Sequence, residues 1–314
     1  MLDVVIIGAG PAGLTAGIFA VRRTLKVLVL GDPGSPPTIT EATLVDDWPS
    51  IPNIKGPDLM VKFQEHAKRM NVPVKNEKVL EIKKSGKNFL VKTEKNVYET
   101  KTIIFATGAR HRKVAVPGEE EFAGKGVSYC ANCDGPLFKG KKVLVVGGGD
   151  TATTYALLLE QIGADTTLIH RRNQLRAVET FQKQIFKSDI KIIWDTVLKE
   201  IKGDRFVKSV VIENVKTKKR TELQMDGVFI AIGSVPMNEL GKNIGLKVDK
   251  SGFIEVDKEQ KTNVHGIFAA GDCCNNPTKR IITACGDGSK AAETAYMYIQ
   301  EKRLLEEKKN SGKA

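Results

Sequence analysis

Val4-Val5-Ile6-Ile7-Gly8-Ala9-Gly10-Pro11-Ala12-Gly13, near the start of the chain, and Lys142-Val143-Leu144-Val145-Val146-Gly147-Gly148-Gly149-Asp150-Thr151-Ala152, in its middle, share one grammar. In each, an apolar, largely β-branched run passes into a glycine turn and then into a helical pattern. The first continues as a helix to about Arg22 and a strand, Lys26–Leu30. The second continues as a helix to Gln161, a stop at Gly163 and a strand, Thr166–His170. Each stretch is a βαβ unit of about 30 residues, the minimal mononucleotide-binding half of a doubly wound sheet. Two such units predict an α/β chain with two dinucleotide sites.

The first turn has the form G-x-G-x-x-G. Gly8 allows the tight turn, Gly10 lets backbone approach a pyrophosphate, and Gly13 permits close packing of helix on strand. Pro11 and Ala12 open the helix whose N-terminus faces the anion. Asp32 is the nearest acid for the ribose, although it falls past the strand end. The second turn has the form G-x-G-x-x-A, with Gly147, Gly149 and Ala152 in the fixed positions and Asp150 and Thr151 opening the helix. After its second strand, where an NAD site places an acid, come His170-Arg171-Arg172 and then Arg176. Guanidinium forks suit a 2′-phosphate that an acid would repel, so NADPH is expected rather than NADH. The plain alternative is a solvated basic turn.

The five cysteines, Cys130, Cys133, Cys273, Cys274 and Cys285, are odd in number and absent from the long N-terminal stretch, which argues against a secreted disulfide scaffold. Cys130-Ala131-Asn132-Cys133-Asp134 has the spacing of a reducible redox pair with an adjacent acid to shuttle a proton. Zinc binding and inert thiols are the alternatives; a tetrahedral site would need two more ligands, and adjacent Cys273-Cys274 are poor co-ligands. No metal is expected. Asp134-Gly135 also reads as a simple turn. Thr262–Gly266 leads into Ile267-Phe268-Ala269-Ala270-Gly271-Asp272, where Asp272 at a strand end can hold ribityl hydroxyls and Gly271 allows close approach. The helix that follows would aim its positive end at a reduced flavin ring; the alternative is a capping Asp.

Composition bounds the rest. The chain has 314 residues, 41% hydrophobic and 27% charged, enough for two modest cores. No apolar run approaches the roughly 18–20 residues of a membrane span. The opening MLDVVIIGAG carries an acid and runs into a glycine motif rather than a cleavage site, so a cytoplasmic protein is expected. Lys and Arg total 49 against 37 acids, a net charge of +12. The basic residues are scattered among acids and aromatics are only 6%, which argues against nucleic acid and for acidic protein partners. Further predicted elements are a loop over Asp32–Pro37, a helix over Asp58–Met70, short strands across Val79–Thr93 and a buried strand in Thr102–Ala109. Strands are also predicted near Ile190–Trp194, Val207–Ile212 and Gly227–Ile232, with a last helix from Ile281 to Glu301. The charged tail beyond Arg303 is expected to fray or to be disordered.

With these motifs in this order, the chain resembles the low-molecular-weight thioredoxin reductases along nearly its whole length. Ser128–Leu137 (SYCANCDGPL), His170–Ala177 (HRRNQLRA) and Thr262–Asp272 are the most specific segments. The resemblance implies two Rossmann-like dinucleotide-binding domains of three-layer β/β/α type. An FAD domain would comprise 1–113 and 245–314, with an NADPH domain, 114–244, inserted and carrying the Cys-x-x-Cys. It implies a homodimer whose NADPH domain rotates between two states about pivots near Arg112–Pro117 and Pro236–Gly245. Cys133 would be the flavin-side sulfur, Cys130 the one exchanging with a thioredoxin-like protein, and Asp134 the acid–base. Thr40, Thr107, Gly108 and Gly233 are further implied cofactor positions.

The chain also departs from this pattern. Pro36-Pro37-Thr38 replaces a Gly-Gly-Gln beside the flavin ring, Asp47 stands in a usual Asn-x-Pro-Gly stretch, Arg280-Ile281 replaces Arg-Gln, and Thr154-Tyr155 replaces two acids. FAD binding is still implied, with Asp47, Arg280 and Ile281 near it. The expected activity is electron transfer from NADPH through FAD to the Cys130–Cys133 disulfide and on to a thioredoxin. The alternatives are the same fold with another donor, such as ferredoxin or a deazaflavin, another dithiol partner, or a redox-inert FAD protein.

Overall fold

The computed structural model describes residues 1–42 and 44–311, without the side chains of 306 and 309–311. Its contacts divide the chain into two compact units, one built from Met1–Thr40, Gly56–Arg110 and the chain from Val235 onward, the other from Glu41–Lys55 and His111–Ser234.

The first unit begins with β1 (Leu2–Ile7), α1 (Pro11–Arg22) and β2 (Val27–Gly31), the βαβ element read from the first glycine motif. It continues through α2 (Gly56–Arg69), β3 (Val74–Asn76) and a meander of β4 (Val79–Ser85), β5 (Asn88–Thr93) and β6 (Val97–Phe105). The strand order is β3-β2-β1-β6-β5-β4. Strand β6 serves two layers: Val97–Thr100 pairs antiparallel with β5, whereas Thr100–Phe105 pairs parallel with β1. Val5, Ile7, Leu28 and Leu30 pack from one face of the parallel strands onto Val79, Ile82, Phe89 and Val91 of the meander. On the other face Val29 meets α1, where a Cβ on Gly17 would lie 3.0 Å from it. Both faces are covered, which is why these strands read as unbroken apolar runs.

The chain leaves through β7 (Ala109–His111) and builds the second unit from β8 (Val127–Ser128), the short α3 (Ala131–Asp134), β9 (Lys142–Gly147), α4 (Asp150–Ile162), β10 (Asp165–Ile169), α5 (Glu179–Ile185) and β11 (Lys191–Ile193). An antiparallel meander follows, β12 (Thr196–Gly203), β13 (Val207–Asn214) and β14 (Arg220–Gln224), then β15 (Gly227–Ala231). The sheet β11-β10-β9-β15-β8 is parallel throughout. Val143, Val145 and Phe229 pack onto Ala152, Ala156 and Leu159 of α4, while Leu144, Val146, Val228 and Ile230 face Leu198, Ile201, Val210 and Ile212 of the meander. Both units are therefore Rossmann-like, with helix, parallel sheet and antiparallel sheet in layers.

The chain returns through β16 (Ser234–Pro236), paired with β7, to α6 (Glu239–Asn243), to β17 (Ile267–Ala269), parallel to β6, and to α7 (Ile281–Ser311). Here the sequence reading needs correction. The segment beyond Arg303 is helical through Ser311, because its Lys, Glu, Arg and Leu residues are strong helix formers as well as charged ones. Residues 312–314 lie outside the described residues. The units divide at Arg110/His111 and Ser234/Val235, whereas the domain borders were expected after 113 and before 245, and Glu41–Lys55 groups with the second unit.

Candidate active site

In the second unit, Cys130 and Cys133 are joined by a disulfide with 5.3 Å between their Cα atoms. Cys130 caps α3, and the amides of Cys133 and Asp134 donate to its carbonyl at 3.1 and 3.0 Å. Both half-cystines are part-exposed, but Asp134 is buried. Its Oδ2 accepts a hydrogen bond from Ser128 Oγ at 2.6 Å, and the same hydroxyl oxygen accepts from the Cys130 amide at 3.1 Å. Asp134 Oδ1 is buried with no protein partner. Burial raises the Asp134 pKa above the usual carboxylate range, and the Ser128 hydrogen bond pulls back against it. A buried carboxyl biased toward its protonated form, with one oxygen unengaged, is suited to give a proton to a sulfur and retrieve it. Ser128 was not legible as a functional residue: it lies within the segment quoted above, but nothing in the sequence says which way its hydroxyl points.

The basic turn of the same unit is held against the second glycine motif. Arg176 N donates to Gly148 O at 2.6 Å and Val178 N to Asp150 Oδ1 at 2.8 Å. Asp150 therefore anchors the arginine segment through its carboxylate. Arg171, Arg172 and Arg176 are exposed, and none has a carboxylate partner among the described residues. His170 is buried, and its ring occupies the space above Gly148: a Cβ there would lie 2.2 Å from Nδ1. Burial pushes its pKa down; backbone bonds at Gly147 and Gln174 oppose this, and the charges of Arg176 and Arg171 add to it. The backbone of this arginine segment is thus tied to the turn that opens α4. Thr151 and Ala152 open α4 as expected, and Gly147 lies against Ala231 O. Gly233 faces open space with φ +96°.

The first unit contains a cavity of about 810 Å³, within the roughly 300–1,000 Å³ typical of small-ligand sites. Gly8, Gly10, Pro11, Ala12, Asp32, Pro36, Pro37, Thr107, Gly108, Asp272, Arg280 and Ile281 are among the residues that line it. Gly8 has φ +114°, and a Cβ on it would lie 2.1 Å from Ala106 O, so the turn admits no larger residue. The Thr107 hydroxyl is buried without a protein partner. Burial raises the Asp272 pKa, and Lys279 pulls against it. These features fit a flavin dinucleotide: a helix N-terminus under bare glycine backbone, and polar groups awaiting partners.

Other expected positions lie outside that lining. Gly13 serves packing, since its Cβ would meet Gly8 O at 1.8 Å, and Gly271 lies against Ala12. Thr40 Oγ1 donates to Pro37 O at 2.8 Å and closes the prolyl loop. Asp47 is exposed in the second unit and is not a lining residue. Cys273, Cys274 and Cys285 are buried free thiols of the first unit, and burial pushes the Cys285 thiol up to about 11.

Comparison with known proteins adds names to this geometry. Residues 2–294 match the family model described as pyridine nucleotide-disulphide oxidoreductase. A "34.2 kDa protein in rubredoxin operon" of Clostridium pasteurianum is 42% identical over 300 residues, 95% of this chain and 97% of that one. The thioredoxin reductase of Bacillus subtilis is 39% identical over 303 residues, 95% of each chain. Among solved structures, thioredoxin reductase from Streptococcus pyogenes has a TM-score of 0.89 at 40% identity, with 96% of this chain and 99% of that one covered. A ferredoxin-flavin thioredoxin reductase from Clostridium acetobutylicum has a TM-score of 0.53 at 34% identity, with 96% and 99% covered.

Proposed function

We propose, on the premise that the chain belongs to the pyridine nucleotide-disulphide oxidoreductase family and is a thioredoxin-disulfide reductase within it, that its donor is NADPH, its flavin FAD, and its redox centre Cys130–Cys133 with Asp134 as acid–base. The observation that carries the donor choice is the set of three exposed arginines, Arg171, Arg172 and Arg176, whose segment is held to the second glycine turn by the Arg176 N–Gly148 O and Val178 N–Asp150 bonds. An NADH site would need an acid there. In this reading the first unit is the FAD domain and the second the NADPH domain, and the protein works as a homodimer.

When bound, the nicotinamide and flavin supply two-electron transfer. The rest falls to the chain. Gly8, Gly10 and the α1 N-terminus hold the flavin pyrophosphate, and Asp272 orients the ribityl hydroxyls. Arg171, Arg172 and Arg176 hold the 2′-phosphate. Two electrons and two protons convert the Cys130–Cys133 disulfide to two thiols, and Asp134 delivers one of those protons to sulfur. The Cys130 thiol then attacks the thioredoxin disulfide, and its proton passes to the thioredoxin sulfur that leaves, giving a mixed disulfide and one thioredoxin thiol. Cys133 resolves the mixed disulfide, and the second thioredoxin sulfur leaves as Asp134 takes the Cys133 proton.

The kinship with a ferredoxin-flavin thioredoxin reductase motivates a second donor, ferredoxin, for which the intact arginine turn would have no use. Anaerobic addition of NADPH, NADH or reduced ferredoxin to the purified holoenzyme separates the readings. NADPH alone should bleach the flavin and expose the Cys130 and Cys133 thiols to titration. Bleaching by ferredoxin but not NADPH would refute the donor assignment.

A further inference from the structure

Glu119 has no role in the function described above, yet it is only 1% exposed. Its carboxylate is satisfied wholly by neutral donors: Val114 N to Oε1 at 3.1 Å, Ala115 N to Oε2 at 2.6 Å, and the Tyr129 hydroxyl to Oε1 at 2.8 Å. The nearby Lys113 pairs with Glu120 instead. Ala115 has φ +60°, a left-handed conformation that its Cβ disfavours, and its amide makes the shortest of the three bonds. The carboxylate thus fixes the connecting segment that follows β7 in a shape it would not keep unaided.

The third donor leads to the redox pair. Tyr129 immediately precedes Cys130. Its ring stacks on His111 at 5.2 Å and an interplanar angle of 13°, and its carbonyl accepts from Tyr155 OH at 3.3 Å. Burial, with the Glu119 hydrogen bond, raises the phenol pKa, so Tyr129 remains a donor throughout the working range. One buried carboxylate therefore joins the connecting segment at Val114–Ala115 to the residue that carries Cys130 into α3.

We propose that Glu119 is a positioning residue for the disulfide: through the Tyr129 hydroxyl it ties the connecting segment to the strand that presents Cys130, and so sets the placement of Cys130 for electron transfer and exchange with thioredoxin. A purely structural role at the turn would need the two amide bonds but not the phenol, so Tyr129→Phe separates the two. It keeps the ring and both amide bonds and removes only the link.

The proposal rests on thioredoxin exchange at Cys130–Cys133, and the test avoids the nucleotide donor. Holoenzyme is reduced photochemically without air, then mixed with oxidised thioredoxin or with ferricyanide, which takes electrons from the flavin without the disulfide. Flavin reoxidation and thioredoxin thiol formation are followed together. Tyr129→Phe and Glu119→Gln should each slow transfer to thioredoxin at least tenfold, and the double variant should be no slower than Glu119→Gln alone. Ferricyanide rates in Tyr129→Phe should match wild type. Wild-type transfer to thioredoxin in Tyr129→Phe, or an equal slowing with both acceptors, would overturn the proposal. If Glu119→Gln does not fold, Tyr129→Phe decides alone. Failure of NADPH as donor would leave this test unaffected.

Discussion

Replacing Ser128 with alanine should move the proton chemistry of the disulfide to higher pH. Asp134 is 9% exposed, and Ser128 Oγ, 2.6 Å away, is the protein donor to its carboxylate. Burial raises the Asp134 pKa and this bond opposes the rise. A hydrogen bond to a charged group is worth about 1.5–3 kcal/mol. At 1.36 kcal/mol per pH unit, its loss shifts the limb governed by Asp134 upward by about one to two units. The assay is the pH profile of kcat/KM for thioredoxin reduction in wild type, Ser128→Ala and Asp134→Asn, the last of which should lack the limb. Stability gives an independent reading. A carboxyl whose folded pKa exceeds its unfolded value binds the extra proton in the native state, so stability falls as pH rises from the unfolded pKa through the folded one. Ser128→Ala should extend that loss to higher pH in denaturant titrations, and Asp134→Asn should remove it. A limb that stays in place or moves down in Ser128→Ala would refute the reasoning.

Replacing Arg171 and Arg172 together with alanine should raise the KM for NADPH at least tenfold, since charge-assisted forks contribute about 1.5–3 kcal/mol, and leave NADH nearly unchanged. A wild type that already prefers NADH would contradict this. Cys130→Ser should leave flavin reduction by the donor intact while abolishing thioredoxin reduction, and full activity in either single cysteine variant would count against the redox pair. Gly148→Ala places a Cβ 2.2 Å from His170 Nδ1 and must displace the ring. It should lower stability by about 1–3 kcal/mol and weaken NADPH binding, as read by thermal melting and nucleotide titration.

The parts of this molecule that were legible in its sequence are those fixed by local chemistry. Gly8 and Gly147 announced their turns because only glycine fits against Ala106 O and Ala231 O, and Gly163 announced the end of α4 with its φ of +95°. The Cys130–Cys133 disulfide falls on the pair that the Cys-x-x-Cys spacing singled out, although spacing alone left zinc and inert thiols open. What escaped reading depends on side-chain direction or on distant contacts. Ser128 is one serine among many until α3 folds Asp134 back onto it. Asp150 looked like a cofactor residue because it opens the helix, whereas its carboxylate holds Val178 N, 28 residues on. The grouping of Glu41–Lys55 with the second unit is a long-range contact that no local pattern encodes. The tail was misread because composition rich in Lys and Glu describes both a solvated chain and a stable helix.

Strand β6 leaves a vacancy that is filled very late. Its Ile103–Phe105 edge pairs with Ile267–Ala269, about 260 residues after β1 begins the sheet. That is about 160 residues after β6 is complete, so at the roughly 5–20 residues per second of ribosomal synthesis a nascent chain holds that apolar edge open for about 8–32 seconds. Nearly all of the inserted unit, His111–Ser234, emerges in that interval as one continuous stretch and can pack its own sheet while the flanking unit is still incomplete. Asp272, Arg280 and Ile281, which help line the cavity, come later still. On the reading proposed above, the lining of the flavin pocket is complete only once this late segment has been made.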